Sequence, residues 1–269
     1  MPQRAKQNMD PPELVVLRQF LRAALNDRLA GDEIAALLAS RVAPSAASNG
    51  DIIERSKNYI RLSLAKWREL RGGNDRPANS FDPQSALFLQ SPDQTREVDV
   101  ALLTDVFGFP IAAAADMLGL SQQEAEQFRA GERARRAAGV EGTGLVIEDD
   151  PIIALSIKQT LEECGIGPVE ISATVEDAVA AARTLRPDII VSDYDLGPGG
   201  TGVEAVREIL MEMDSAVVFV TAYPDRVLTG SDFEPTFVMT KPFEDSALSA
   251  AVYYALTRPG LTTIDAEEG

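Results

Sequence analysis

The sequence predicts a multidomain chain, with an all-α N-terminal half in two lobes followed by a doubly wound (βα)5 α/β half. Three observations carry this. Short β-branched apolar runs alternate with helical patterns five times from residue 144 onward. No strand signal precedes Val140. The charge divides at the same place: residues 1–138 hold 18 Lys/Arg and 18 Asp/Glu, whereas residues 139–269 hold 7 and 24 and so carry the whole net charge of −17. The length of 269 residues suits two domains of roughly 100–150 each.

From Pro11 the spacing of Leu14, Leu17, Leu21 and Leu25 predicts a helix. Asp32 is placed to cap a short helix running to Val42. Asp51 starts a longer one with Ile53, Ile60, Leu64 and Trp67 on one face, ended by Gly72–Gly73. Residues 72–82 have the composition of a linker, so the first lobe is 1–71 and the second 83–138. In the second lobe a helix over 93–107 turns Val98, Leu102, Leu103 and Val106 inward. Pro110 opens the next helix and Ser121 caps the last, a helix-turn-helix pattern. Residues 139–143 (GVEGT) are read as a hinge. The α/β half, 142–258, predicts strands at 144–148, 169–172, 188–193, 216–221 and 236–240. Helices fall at 151–164, 175–185, 202–213 and 244–257, with a weak one near 225–230, and 259–269 is a polar tail.

Composition excludes several classes. The chain has no histidine, so His-based triads, His-ligated zinc and a phosphohistidine-donor role are ruled out. A single cysteine, Cys164, rules out a disulfide framework and reads as core filler. No long apolar run or signal-like N-terminus is present, and the chain reads as cytoplasmic. A neutral half beside an acidic one is poorly suited to nucleic acid, whose binders carry a basic surplus.

The chemistry-bearing residues sit at strand ends. Glu148, Asp149 and Asp150 follow GLVI, Asp193 follows DIIVS, Thr221 ends AVVFVT, and Lys241 follows PTFVMT. Ligands of open α/β sheets bind outside the carboxyl ends of the strands, so these groups should converge. Asp193, opening the glycine-rich DYDLGPGGTG loop, is the candidate phosphoryl acceptor. Glu148 and Asp149, with Asp193 and the backbone carbonyl of Asp195, would hold Mg²⁺, a hard cation that takes carboxylates, waters and phosphate oxygens. Thr221 and Lys241 would contact the phosphoryl group. Taken singly, each has a plainer reading: Asp149 or Asp150 as a helix cap, Thr221 as a turn residue, Lys241 as a surface turn. Their joint placement after strands one, three, four and five argues against coincidence.

VIEDD, IIVSDYD, VFVTAYP and VMTKPF together resemble the receiver domain of two-component response regulators over residues 142–258. The resemblance implies Asp193 as phosphoacceptor, Glu148 and Asp149 in the metal site, and Thr221 and Lys241 at the phosphoryl group. Many receivers carry an aromatic residue three before the lysine. Here that position is Val238, with Phe237 beside it and Tyr223 two residues after Thr221. Residues 13–71 and 80–137 resemble the promoter-melting and helix-turn-helix regions of an extracytoplasmic-function sigma factor. This order of domains is similar to the PhyR-type regulators of the alphaproteobacterial general stress response. The resemblance implies an anti-anti-sigma factor rather than an enzyme: phosphorylation by a histidine kinase or phosphotransfer protein releases the sigma-like half to sequester an anti-sigma factor (NepR).

Two other classes compete, a DNA-binding transcriptional response regulator and a phosphate sink with an inert helical half. Against DNA reading, the helix after Ser121 opens with Gln122, Gln123, Glu124 and Glu126, and its basic residues begin only at Arg129. A monomer that binds neither DNA nor membrane is expected. The sigma-like half should dock on the face made by the receiver's fourth helix, fifth strand and fifth helix.

Overall fold

The computed structural model describes residues 12–25, 28–40, 52–72, 92–228, 233–258 and 263–264. The N-terminal half contributes α1 (Pro12–Leu25), α2 (Arg28–Ala39), α3 (Ile52–Gly72), α4 (Pro92–Ala101), α5 (Ile111–Leu118) and α6 (Gln122–Arg136), with a π-helical turn at Leu102–Val106. The C-terminal half runs β1 (Gly142–Ile147), α7 (Pro151–Glu163), β2 (Ile166–Ser172), α8 (Val175–Leu185), β3 (Ile189–Ser192), α9 (Gly202–Leu210), β4 (Ala216–Thr221), α10 (Pro224–Val227), β5 (Phe233–Glu234), β6 (Phe237–Thr240), α11 (Asp245–Thr257) and β7 (Thr263–Ile264).

Five strands form one parallel sheet in the order β2-β1-β3-β4-β6. The chain winds first to one side of β1 and then to the other, so the carboxyl ends of β1 and β3 lie side by side at the switch point. β3 is buried at all four positions, which explains its unbroken Ile-Ile-Val run. The short β5 and β7 pair antiparallel to each other. No helix among the described residues is long and apolar enough to cross a membrane.

Local signals set the helix starts. Asp150 caps α7 by accepting from the amides of Ile152 and Ile153, with Pro151 at the first position. Ser121 and Glu124 form a reciprocal capping box on α6, and Thr201 and Glu204 form another on α9. Gly119 ends α5 at φ 70°, the left-handed cap that glycine adopts without strain.

Several expectations need correction. Asp32 does not cap a helix. It lies inside α2 and accepts from Arg22 Nε at 2.6 Å, a tertiary partner that outweighs local capping preference. The expected hinge at 139–143 is partly strand: Gly142 pairs with Ile166, and Val140 N donates to Cys164 O at 2.9 Å. The 93–107 helix ends as a π turn, with Phe107 N reaching Leu102 O at 2.9 Å. β2 begins at Ile166 rather than 169, and α9 stops at Leu210 rather than 213. Val42, Asp51 and residues 73–82 fall outside the described residues, as do the side chains of Leu25, Ile53 and Trp67.

The sheet has a buried layer on each face. Leu145, Ile147, Ile190, Val217 and Phe219 pack with α8 and α9. Val146, Ile189, Val191, Val218 and Val220 pack with α7 and α11. The second layer continues without a break into Leu14, Leu17, Phe20, Leu102 and Leu103, so the two halves share one apolar core. Burial of this kind stabilises by about 25 cal/mol per Å² of apolar surface.

Candidate functional site

The ladder continues one residue past β1 and β3: Asp193 N donates to Ile147 O at 2.9 Å and Glu148 N to Ser172 O at 3.0 Å. This brings two carboxylates out together at the sheet's carboxyl edge. Carboxylate oxygens of Glu148, Asp149 and Asp193 all lie within 4.8 Å of one another. Glu148 and Asp193 are buried, while Asp149 is exposed. Lys241 Nζ reaches Glu148 Oε2 at 2.6 Å and Asp193 Oδ2 at 2.8 Å, so one ammonium bridges both buried acids.

Burial pushes the Glu148 carboxyl above the ordinary carboxylate range, and neighbouring Asp193 adds to the rise against the opposing contact with Lys241. Burial alone would lower the Lys241 pKa. Its bonds to Asp193 and Glu148 outweigh that, so the net shift is upward and the ammonium stays charged. Asp193 Oδ1 also accepts from the Tyr194 amide.

Thr221 is fully buried at the end of β4, where its hydroxyl accepts from Tyr223 N at 3.1 Å. Lys241 N donates to Thr221 O at 3.0 Å, which ties the two strand ends together. The Asp195 side chain stays outside the three-carboxylate cluster and accepts from Gly197 N at 3.0 Å, shaping the loop that passes Asp149. Asp150 is the helix cap. The structure thus gathers Glu148, Asp149, Asp193 and Lys241, sets Thr221 on the adjacent strand, and leaves the Asp195 carboxylate in the loop. Three oxygen donors at this spacing suit a hard divalent cation held by carboxylates plus waters.

The two aromatic candidates have different surroundings. Tyr223 is exposed and stacks with Arg226, whose guanidinium lies 4.6 Å from that ring and 5.6 Å from the Tyr194 ring. Phe237 is buried against the N-terminal half. Its ring meets Phe107 edge-on at 6.2 Å, and Phe107 meets Phe20 of α1 at 5.8 Å.

This seam between the halves holds the residues that sequence reasoning missed. Tyr254 of α11 donates its hydroxyl to Glu132 Oε1 at 3.0 Å and accepts from Arg136 at 3.2 Å. Arg258 donates to the carbonyls of Ala23 and Ala24 at 2.6 and 3.3 Å. Gln19 donates to Pro235 O at 3.1 Å. Behind the seam, Asp105 on the π turn is buried and collects Arg129 at 2.7 Å, Arg133 at 3.0 Å and Arg136. Burial would raise the Asp105 carboxyl, but hydrogen bonds from Arg133, Arg136 and Arg129 hold it below the usual range.

The parallel five-stranded sheet, the acid cluster and the bridging lysine define a response-regulator receiver. Residues 145–253 match the family model of the response regulator receiver domain. Over 92% of its length and 95% of the relative's, the chain is 27% identical to the phyllosphere-induced regulator PhyR of Methylorubrum extorquens. It is 30% identical to the solved structure of a PhyR stress response regulator, covering 93% and 96% of the two chains at a TM-score of 0.69. A variant of the anti-anti-sigma factor PhyR from Bartonella quintana is 27% identical, covering 91% and 95% at a TM-score of 0.68. The chain belongs to the PhyR-type response regulators.

Proposed function

We propose that this chain is a phosphorylation-dependent anti-anti-sigma factor, in which Asp193 accepts a phosphoryl group and the N-terminal half then captures an anti-sigma factor of the NepR kind. Asp193 attacks the phosphorus of a phosphohistidine on a histidine kinase or phosphotransfer protein. The P–N bond breaks and an acyl phosphate forms. Mg²⁺ held by Glu148, Asp149 and Asp193, with the Asp195 carbonyl, would neutralise charge between the acids and the incoming phosphoryl oxygens. The two lobes of the sigma-like half, 1–71 and 83–138, would flank a linker at 72–82.

One observation carries the reading. The N-terminal half is seated on the receiver edge formed by α10, β6 and α11, the edge that begins at Thr221 and Lys241. Lys241 would exchange Glu148 for a phosphoryl oxygen, and the Thr221 hydroxyl would turn from accepting Tyr223 N to donating. Both changes act where β4 and β6 end. From there α10 and β6 lead directly to α3 and Phe107.

The DNA-binding alternative loses support at α6. Arg129, Arg133 and Arg136 are engaged by Asp105 rather than presented to phosphates. Phosphotransfer from a labelled phosphohistidine donor tests the proposal: wild type should be labelled in a Mg²⁺-dependent way and Asp193→Ala should not. Equal labelling of both would refute it. In titration calorimetry, an anti-sigma partner binding equally well with and without the phosphate would refute the coupling.

A further inference from the structure

The receiver's last helix touches both lobes of the N-terminal half through residues one turn apart. Tyr254 and Arg258 are joined by the backbone bond from Arg258 N to Tyr254 O at 3.1 Å and face the same way. Tyr254 holds α6 through Glu132 and Arg136. Arg258 holds the other lobe, its guanidinium satisfying the last carbonyls of α1 where the helix dipole is negative. Both side chains are buried, Tyr254 at 0% and Arg258 at 7% exposure. Phe107 repeats the arrangement in apolar form, wedged between Phe20 of the first lobe and Phe237 of the receiver.

We propose that α11 is a brace that fixes the two lobes relative to each other, so that undocking the receiver also unties lobe from lobe. The inference rests on the release reading and adds to it a consequence for the shape of the freed half. Direct lobe-to-lobe contacts remain after withdrawal: α1 packs on α4 and the π turn within the shared apolar core, and α3 meets α5. Arg61 and Asp116 pair at 3.8 Å with both side chains largely exposed, and Lys57 lies 5.9 Å from the Phe109 ring centre. Undocking the receiver takes Phe237 of β6 off one side of Phe107, and with α11 it strips the α1 carbonyls of Arg258 and leaves Glu132 and Arg136 without their shared hydroxyl. A partner entering the seat of α11 therefore meets an acid, a base and a helix C-terminus separated by aromatic surface. It would set the lobes in an arrangement of its own.

The test uses full-length protein with Cys164→Ser and two spin-label pairs on exposed helix positions. Asn58→Cys with Gln123→Cys reports lobe to lobe, and Asn58→Cys with Ser156→Cys reports lobe to receiver. The variant Tyr254→Phe/Arg258→Ala removes all four of these hydrogen bonds while leaving every acid-cluster residue in place. Electron–electron resonance should show both distance distributions broadened in the phosphate-free variant. Affinity for the anti-sigma factor should rise about tenfold without phosphate. A widened lobe-to-receiver distance with an unchanged lobe-to-lobe distance would overturn the brace and leave the release reading standing. A variant that stays docked would also overturn it. Wild type treated with Mg²⁺ and beryllofluoride should reproduce the variant's lobe-to-lobe broadening without any substitution in the seam. If it undocks without that broadening, the brace fails. If it does not undock, the release reading fails, and the variant arm still decides the brace.

Discussion

A Cβ on Gly202 would lie 1.8 Å from the carbonyl oxygen of Asp193 and 2.2 Å from Ser192 Oγ. The end of β3 and the start of α9 can approach so closely only with hydrogen at that position. Gly202→Ala should therefore cost about 3 kcal/mol in urea unfolding and slow phosphotransfer, because relief of the clash must displace the Asp193 backbone. Asp105 is the second residue whose chemistry has a measurable signature. Its folded pKa is depressed, so its contribution to stability is full above the unfolded value of about 4 and disappears as pH falls through the lower folded value. Asp105→Asn should lose about 1–3 kcal/mol at pH 7, as charged hydrogen bonds do, and should lose less than wild type on going from pH 5 to pH 3. Urea melts at the three pH values decide this. A variant that keeps the wild-type pH slope would remove Asp105 from the account.

At the scale of elements, the strands were legible because each is a short β-branched run between turn residues, and those runs mark the sheet ends where Glu148, Asp193, Thr221 and Lys241 emerge. The helix caps at Ser121 and Thr201 are equally local signals, though only Ser121 is read as a cap from the sequence. Thr201→Ala should cost about 1 kcal/mol in thermal unfolding, since it removes the hydroxyl that accepts from Glu204 N, while the backbone bond from Thr201 N to Glu204 remains. Asp32 shows the limit of local reading, because its partner Arg22 lies on the preceding helix. Asp105 shows it more sharply. Nothing near it in sequence announces three arginines, which arrive from 24 to 31 residues away. The π turn that carries it also escapes periodicity, since one extra residue in the helix is invisible to a 3.6-residue pattern.

For the whole molecule, the seam was the hardest feature to foresee. Tyr254 meets Glu132 across 122 residues, and Arg258 meets Ala23 across 235. The docking face was still expected, because receiver resemblance together with the domain order points to it. Coupling across that face must be reciprocal. Whatever factor the phosphate adds to anti-sigma affinity, the anti-sigma factor must add to the equilibrium favouring the acyl phosphate. Transfer of labelled phosphoryl between the donor and the proposed acceptor Asp193 should therefore be followed to equilibrium, with and without partner. A partner that binds the phosphorylated form more tightly yet leaves that equilibrium unmoved would contradict the two-state scheme. Reversing a closed:open ratio of about 99:1 takes about 5.5 kcal/mol, more than one phosphoryl group is expected to supply alone.

The uninterrupted apolar layer from Phe20 through Phe107 and Phe237 has a cost when the halves part. Opening wets aromatic surface that was dry, and water opposes this until something covers it again. A chain that receives the chemical signal while no client is nearby therefore opens only part of the time. Output then requires two events together, a stimulus and an available target, and the molecule behaves as a coincidence detector.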